Sequence, residues 1–228
     1  MRHYFIWKNI SSVEMGLHVL KLPPITKPEL RMKTIEVPGR HGALHVTDGT
    51  YKPEVKSVEI ALEDSSRIHT IFAWLTGSGD VVFSNEPRYC YRGIISNKIP
   101  LDRVIREVKK GLVQFQCQPF QYDRQPSPIT MTEPGIITNL GTVPSQPIIT
   151  IYGAGEIEIS INNRSFLLSE INDFMVVDSE IQNAYRERNQ LWNRKMTGEF
   201  PFFDVGENRI NWRGVVKKIF IQPEWRRL

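Results

Sequence analysis

Between Gln121 and Pro147 the chain carries prolines at 126, 128, 134, 144 and 147, with Gly135 and Gly141 among them. A proline fixes its own φ and donates no backbone hydrogen bond, so this stretch interrupts any long helix or central strand. It is also too stiff to be a flexible Gly/Ser linker. The 228 residues hold either one large domain or two small ones. The break favours two modules in a defined relation, residues 1–134 and 135–228, with Gly135–Asn139 as a candidate first strand of the second.

The first module reads as a sheet with one helix. Tyr4–Trp7 and Leu17–Leu22 are strand candidates around a polar turn at Ser11-Ser12, and Pro23-Pro24 ends the second of them. Met32, Thr34 and Glu36 alternate with Lys33, Ile35 and Val37, a strand with one polar and one mixed face. Val58, Ile60 and Leu62 alternate with Ser57, Glu59 and Ala61 in a stronger one. Asp64-Ser65-Ser66 is a helix-start signal, followed by Ile68, Ile71, Phe72 and Leu75 at the spacing of one helix face. Gly77-Ser78-Gly79 stops that helix, and Val81–Phe83 and Tyr89–Ile95 continue the sheet. Arg103–Lys109 and Leu112–Gln118 are expected as a hairpin around Lys110-Gly111, with a helix over Leu101–Lys109 as the local rival.

The second module is a series of short β-forming runs. Ile148–Tyr152, Glu156–Ile161, Arg164–Leu168, Phe174–Val177, Ser179–Arg186, Arg209–Trp212 and Val215–Gln222 are strand candidates. Gly153-Ala154-Gly155 and Asn162-Asn163 read as their hairpin turns. About eight short strands and no long helix predict a β-sandwich. The fold class is thus mainly β: a β-rich domain with one helix, then a sandwich.

Little in the sequence points to bond-breaking chemistry. All five histidines, His3, His18, His41, His45 and His69, fall in the first module, and His69 has no partner at ligand spacing. His41 and His45 are four apart, but Gly42 and the β pattern oppose a metal-binding helix. Gly77-Ser78-Gly79 lacks the basic residue of a phosphate loop, and Glu156 and Glu158 share one strand face as solvated carboxylates. Asp178 and Glu180 are expected to pair with Arg186 or Arg188. No catalytic residue, cofactor or metal site is assigned. Cys90 and Cys117 lie in alternating runs, as buried free thiols do, with a disulfide as the minor alternative. Residues 1–120 hold 17 Lys and Arg against 12 Asp and Glu, and residues 121–228 hold 12 against 13, too dilute a positive patch for nucleic-acid binding. No apolar run reaches a membrane span, and the first residues read as a strand rather than a signal peptide. Synthesis and folding in a cytoplasm are therefore expected.

Two sets of residues become specific together. The first is Val37-Pro38-Gly39-Arg40-His41-Gly42 with Tyr51 and the strand Val55–Leu62. The second runs through Asn139-Leu140-Gly141, Pro147, Gly153-Ala154-Gly155, Val177-Asp178-Ser179-Glu180, Gly198, Phe200-Pro201, Gly206, Asn208 and Pro223-Glu224-Trp225-Arg226. Between them stands Phe115-Gln116-Cys117-Gln118-Pro119-Phe120-Gln121-Tyr122. In this order they resemble the distal tail proteins of long, non-contractile-tailed bacteriophages and related prophages, from about Phe5 to Arg226. The resemblance implies a hexameric hub between tail tube and tail tip, with a ring-forming first domain around a DNA channel and a galectin-like second domain outside. It implies as partners the other copies of the ring, the tail tube protein and a tail-tip protein, with the tape measure and receptor-binding proteins as further candidates. DNA would pass without specific binding, and nothing would insert in a membrane.

Within that frame Arg40 and His41, on an exposed Pro/Gly turn, are the candidate subunit contacts. Arg209, Asn211 and Trp212 are the candidate face for a sugar or a protein partner. A lectin-like module that binds host surface polysaccharide is the alternative function, and an open concave face with an aromatic platform around Trp212 would favour it. The second module has no large insertion of the kind that carries an added carbohydrate-binding module in enlarged relatives, which favours protein docking.

Overall fold

The computed structural model describes residues 3–103, 109–187 and 190–228. The chain divides into two compact units, one ending at Gln121 and the other running Tyr122–Arg227. The strand Ile129–Met131 already pairs with Gly206–Gln222, so the second unit takes up chain ahead of Gly135.

The first unit is built on an antiparallel sheet. Its strands lie in the order Ile10–Ser11, Phe5–Trp7, Gly77–Phe83, Tyr89–Ile95, Lys109–Asp123, Glu54–Leu62 and Leu17–Lys21. One face is apolar by simple alternation: Val58, Ile60 and Leu62 on one strand, Val113, Phe115 and Cys117 on the next. Aromatic rings fill the space above it. Phe115 meets Phe5, Trp7 and Phe83 at centroid distances of 5.4, 5.3 and 5.8 Å, all edge to face.

The helix is shorter than its spacing predicts, Ile68–Trp74 after a 3-10 turn at Ser65–Arg67. Asp64 starts it as expected, accepting from the Ser66 amide at 2.9 Å and hydroxyl at 2.8 Å. Of the expected stripe, Ile71 and Leu75 are buried, but Phe72 stays exposed and Trp74 takes its place. The reason is a reciprocal bond: each indole N–H of Trp7 and Trp74 donates to the other residue's carbonyl, at 3.0 and 3.1 Å. This turns the helix about a pair of buried donors that need partners.

The hairpin turn expected at Lys110-Gly111 is corrected. Lys109–Asp123 is one continuous strand, and Lys109, Lys110 and Gly111 pair with Arg103, Asp102 and Leu101. Leu101–Arg103 is strand, not helix, and the remainder of the expected first arm, residues 104–108, lies outside the described residues. Cys90 and Cys117 are both buried and free.

The second unit departs most from its expected form. Gly153-Ala154-Gly155 is not a hairpin turn. Ile148–Ile161 is one strand, pairing along its length with Arg164–Asp178 and with Gly206–Gln222. Both pairings lose register in the same place, between Gly155 and Ile157 on one side and between Ala154 and Glu158 on the other. Each long strand thus bends there, and the halves take different neighbours. Gly135–Asn139 and Met196–Gly198 flank one half; Ile129–Met131 and Asn183–Tyr185 flank the other. Side chains from the inward face of both halves, Ile149 and Ile151 with Ile157, Ile159 and Ile161, share one hydrophobic cluster. The sandwich is therefore one seven-stranded sheet folded over its own core. Glycine permits the fold line: a Cβ on Gly153 would sit 2.3 Å from the Val215 carbonyl oxygen, and one on Gly214, at φ +106, 2.4 Å from that of Glu156.

Candidate functional site

The hairpin Leu30–Glu36 with Ala43–Tyr51 stands apart from both large sheets as a two-stranded sheet of its own. Each strand extends about 20 Å or more. Cross-strand partners share a face. Ile35 lies opposite Leu44 and Lys33 opposite Val46, which makes one face apolar; Met32, Thr34 and Glu36 lie opposite Thr47, His45 and Ala43, which makes the other polar. Almost every residue of both strands is exposed. An isolated two-stranded hairpin in water is marginal.

The root of the hairpin is held. Lys52 Nζ lies 2.6 Å from a Glu29 carboxylate oxygen, and Tyr51 packs edge to face on Phe120 at 5.9 Å. Just above, the register slips between Leu30 and Met32. Thr47 and Asp48 hold the bulge: the Thr47 hydroxyl donates to the Arg31 carbonyl at 2.9 Å, and Asp48 accepts from the Thr50 hydroxyl at 2.6 Å and amide at 2.9 Å. The Thr50 hydroxyl, then its amide, hold the Asp48 carboxyl below its ordinary range.

Arg40 and His41 occupy the tip, where the Arg40 amide donates to the Val37 carbonyl at 3.1 Å. Glu36, Val37, Pro38, Arg40, Gly42 and Ala43 line an open concavity of about 630 Å³ there. Both residues are exposed. The Pro/Gly turn thus carries Arg40 and His41 at the end of the hairpin. The apolar stripe of Ile35, Leu44 and Val46 was missed, because Ala43–Tyr51 was not read as a strand. Leu44 and Val46, at alternating positions just past a Pro/Gly turn, were its signal.

On the sandwich, Asn211 and Arg209 project from the outward face of Gly206–Gln222, both exposed. Trp212 points the other way, half-buried and packed against the core cluster. Asn211 instead joins Glu158, Ser160 and Arg213 around a cavity of about 360 Å³, which Trp212 also borders; Arg213 and Glu158 approach to 3.8 Å. The Asp178 pairing with Arg186 is corrected. Asp178 accepts from the amides of Glu180 and Ile181 at 3.1 and 3.3 Å, and Arg186 faces Asp173 at 3.8 Å. Arg188 lies outside the described residues. Among the described residues no group of three or more His, Cys, Asp or Glu is placed to hold a metal ion.

Several residues that carry the family resemblance turn out to close the sandwich. Asn139 donates to the carbonyls of Val143 and Phe203 and accepts from the Gly141 amide at 2.8 Å. Asn208, wholly buried, bonds the backbone of Asp204 and Gly206. Arg226 donates to the Pro144 carbonyl and the Gln146 side chain. Their role is to satisfy buried backbone groups at turns.

A solved structure matches this architecture. In fold the chain is similar to the Dit protein of phage SPP1. The TM-score is 0.73 at 14% sequence identity, over 97% of this chain and 98% of that one. That protein is described as a paradigm of the hub adsorption apparatus in phages infecting Gram-positive bacteria. No protein-family model matches the chain, and no curated protein matches it in sequence. The likeness spans both units, and the fold is that of a Dit-like protein: a β domain with one helix followed by a β-sandwich.

Proposed function

We propose that this chain is a distal tail protein, one of six copies in a ring that joins a phage tail tube to the tail tip and adsorption apparatus. The observation that carries this reading is a fold shared over nearly the whole chain with a hub protein, combined with a hairpin whose apolar face stays substantially exposed. In the ring the first unit assembles and the hairpin, with Arg40 and His41 at its tip, reaches a neighbouring copy. The second unit recruits tail-tip proteins through its outward faces. Receptor-binding and tape-measure proteins are further partners, and DNA passes the channel without specific binding. The protein acts in the virion tail tip after synthesis in the host cytoplasm, and its contribution is geometric rather than catalytic. Counting subunits in native tail particles tests this. Six copies around an open channel are expected; five or eight at the hub would refute it. Release of sugars or peptides from host cell-wall fragments by the pure protein, lost on a single carboxylate substitution, would restore the enzyme reading.

A further inference from the structure

The strand Glu54–Leu62 points Lys56, Val58, Ile60 and Leu62 to the inward face. A lysine at a position that packing elsewhere makes apolar needs a reason. Lys56 is 3% exposed, and an ammonium so buried is unfavourable unless fully paired. Its Nζ lies 2.5 Å from a Glu54 carboxylate oxygen, donates to the Thr26 hydroxyl at 2.7 Å and sits 4.9 Å from the centre of the Tyr91 ring. Thr26 in turn donates to Glu54 at 2.9 Å. An apolar side chain of similar length would fill the same space without the desolvation cost, and such replacements of buried ion pairs are often neutral or stabilising. What it would not do is hold Thr26.

Thr26 lies in residues 22–29, an irregular segment that leads from the sheet into the hairpin. Asn85 donates to the Pro23 carbonyl at 3.1 Å near the start of the segment, and Lys52 binds Glu29 at its end. Thr26, itself exposed, is tied between these to a lysine of the sheet's inward face.

We propose that Lys56, Glu54 and Thr26 form a lock that holds residues 22–29 against the sheet and fixes the direction in which the hairpin leaves it. The inference rests on the assembly role proposed above, for which it supplies the preorganisation: a projecting arm binds better when its orientation is settled before contact. Lys56 is a positioning residue, acting through Thr26.

Thr26→Val removes the hydroxyl at almost constant shape, and Thr26→Ser keeps it. Amide hydrogen exchange on the full chain is the readout. Thr26→Val is expected to speed exchange of the hairpin amides in 30–36 and 43–51 at least about tenfold, since both hydrogen bonds it removes join charged groups. Thr26→Val leaves the buried Lys56 one partner short, so the thermal midpoint should fall by a few degrees; Thr26→Ser should match the parent protein, and Lys56→Met should loosen the same hairpin amides. Equal exchange in Thr26→Val and the parent, or equal effects of Val and Ser, would each overturn the lock. Exchange is read within one protomer, so a protein that never forms rings would count against the assembly reading and leave this test standing.

Discussion

Replacing Leu44 and Val46 together by threonine separates assembly from folding. Full burial of a Val, Leu or Ile side chain is worth about 1.5–3 kcal/mol. Ile35, Val37, Leu44 and Val46 keep 36%, 41%, 41% and 46% of their surface exposed. A neighbour that covers them therefore gains roughly two fifths of the full value from each, about 0.6–1.2 kcal/mol per side chain. The double substitution removes two of the four contacts, about 1–2 kcal/mol per interface and a five- to thirtyfold weaker contact. Threonine keeps the β-branched shape of Val46 and introduces one at position 44, which strands favour, and exposed substitutions of this kind shift stability within about 0.5 kcal/mol. Sedimentation velocity over a range of concentrations, run beside thermal unfolding, reads both quantities. Assembly should weaken while the protomer's melting is nearly unchanged. Unaltered assembly, or a melting loss as large as the assembly loss, would refute the argument that this face is held open for a partner.

Three further outcomes are expected. Arg40→Ala weakens ring assembly more than protomer stability, by about 2–5 kcal/mol per interface if the charge is buried there and about 0–1 if it stays at the rim; unchanged light scattering returns Arg40 to a surface turn. Gly214→Ala forces a Cβ against the Glu156 carbonyl oxygen at φ +106, costing about 1–3 kcal/mol in backbone strain before the contact is counted, and calorimetry that shows no loss would remove the fold-line argument. Burial pushes the Cys117 thiol up to about 12, partly offset by Lys56. The folded thiol thus stays neutral where the unfolded one ionises, so this group's contribution is complete below pH 9 and is lost as pH rises towards 12; maleimide labelling of native Cys117 at pH 8 as fast as in denaturant would contradict it.

What was legible in the sequence followed the period-two rule. Val58, Ile60 and Leu62, and Ile157, Ile159 and Ile161, point inward as their alternation predicts, because side chains on a half-buried strand have only two directions to take. The errors cluster at glycines. Gly111 and Gly153–Gly155 lie within strands, where local chemistry suggested turns. A glycine that turns a hairpin and one that lets another strand approach look the same in sequence, and only the partner's backbone tells them apart. Lys56 was passed over for the opposite reason. It keeps the inward phase of its strand, but its charge hides it from a search for apolar alternation. Trp212 was offered as a surface platform; its strand phase, set by Asn208 and Ile210, turns it to the core.

The outward faces of the sandwich separate what sugar recognition combines. Stacking on a sugar needs the flat face of an aromatic ring left open beside polar groups. On one half of the sheet Tyr152 and Phe174 lie side by side on the outward face, with ring centres 5.7 Å apart. Lys218 sits 4.6 Å from the Tyr152 centroid and Arg186 5.6 Å from that of Phe174. The rings are thus engaged by each other and by cations of the same chain, in a row that ties together neighbouring strands. On the other half Glu158, Ser160, Asn211 and Arg213 gather polar groups with no outward ring among them, since Trp212 faces the core. Side-chain hydrogen bonds and paired charges without an aromatic platform suit the polar rim of a protein interface better than a sugar-stacking face.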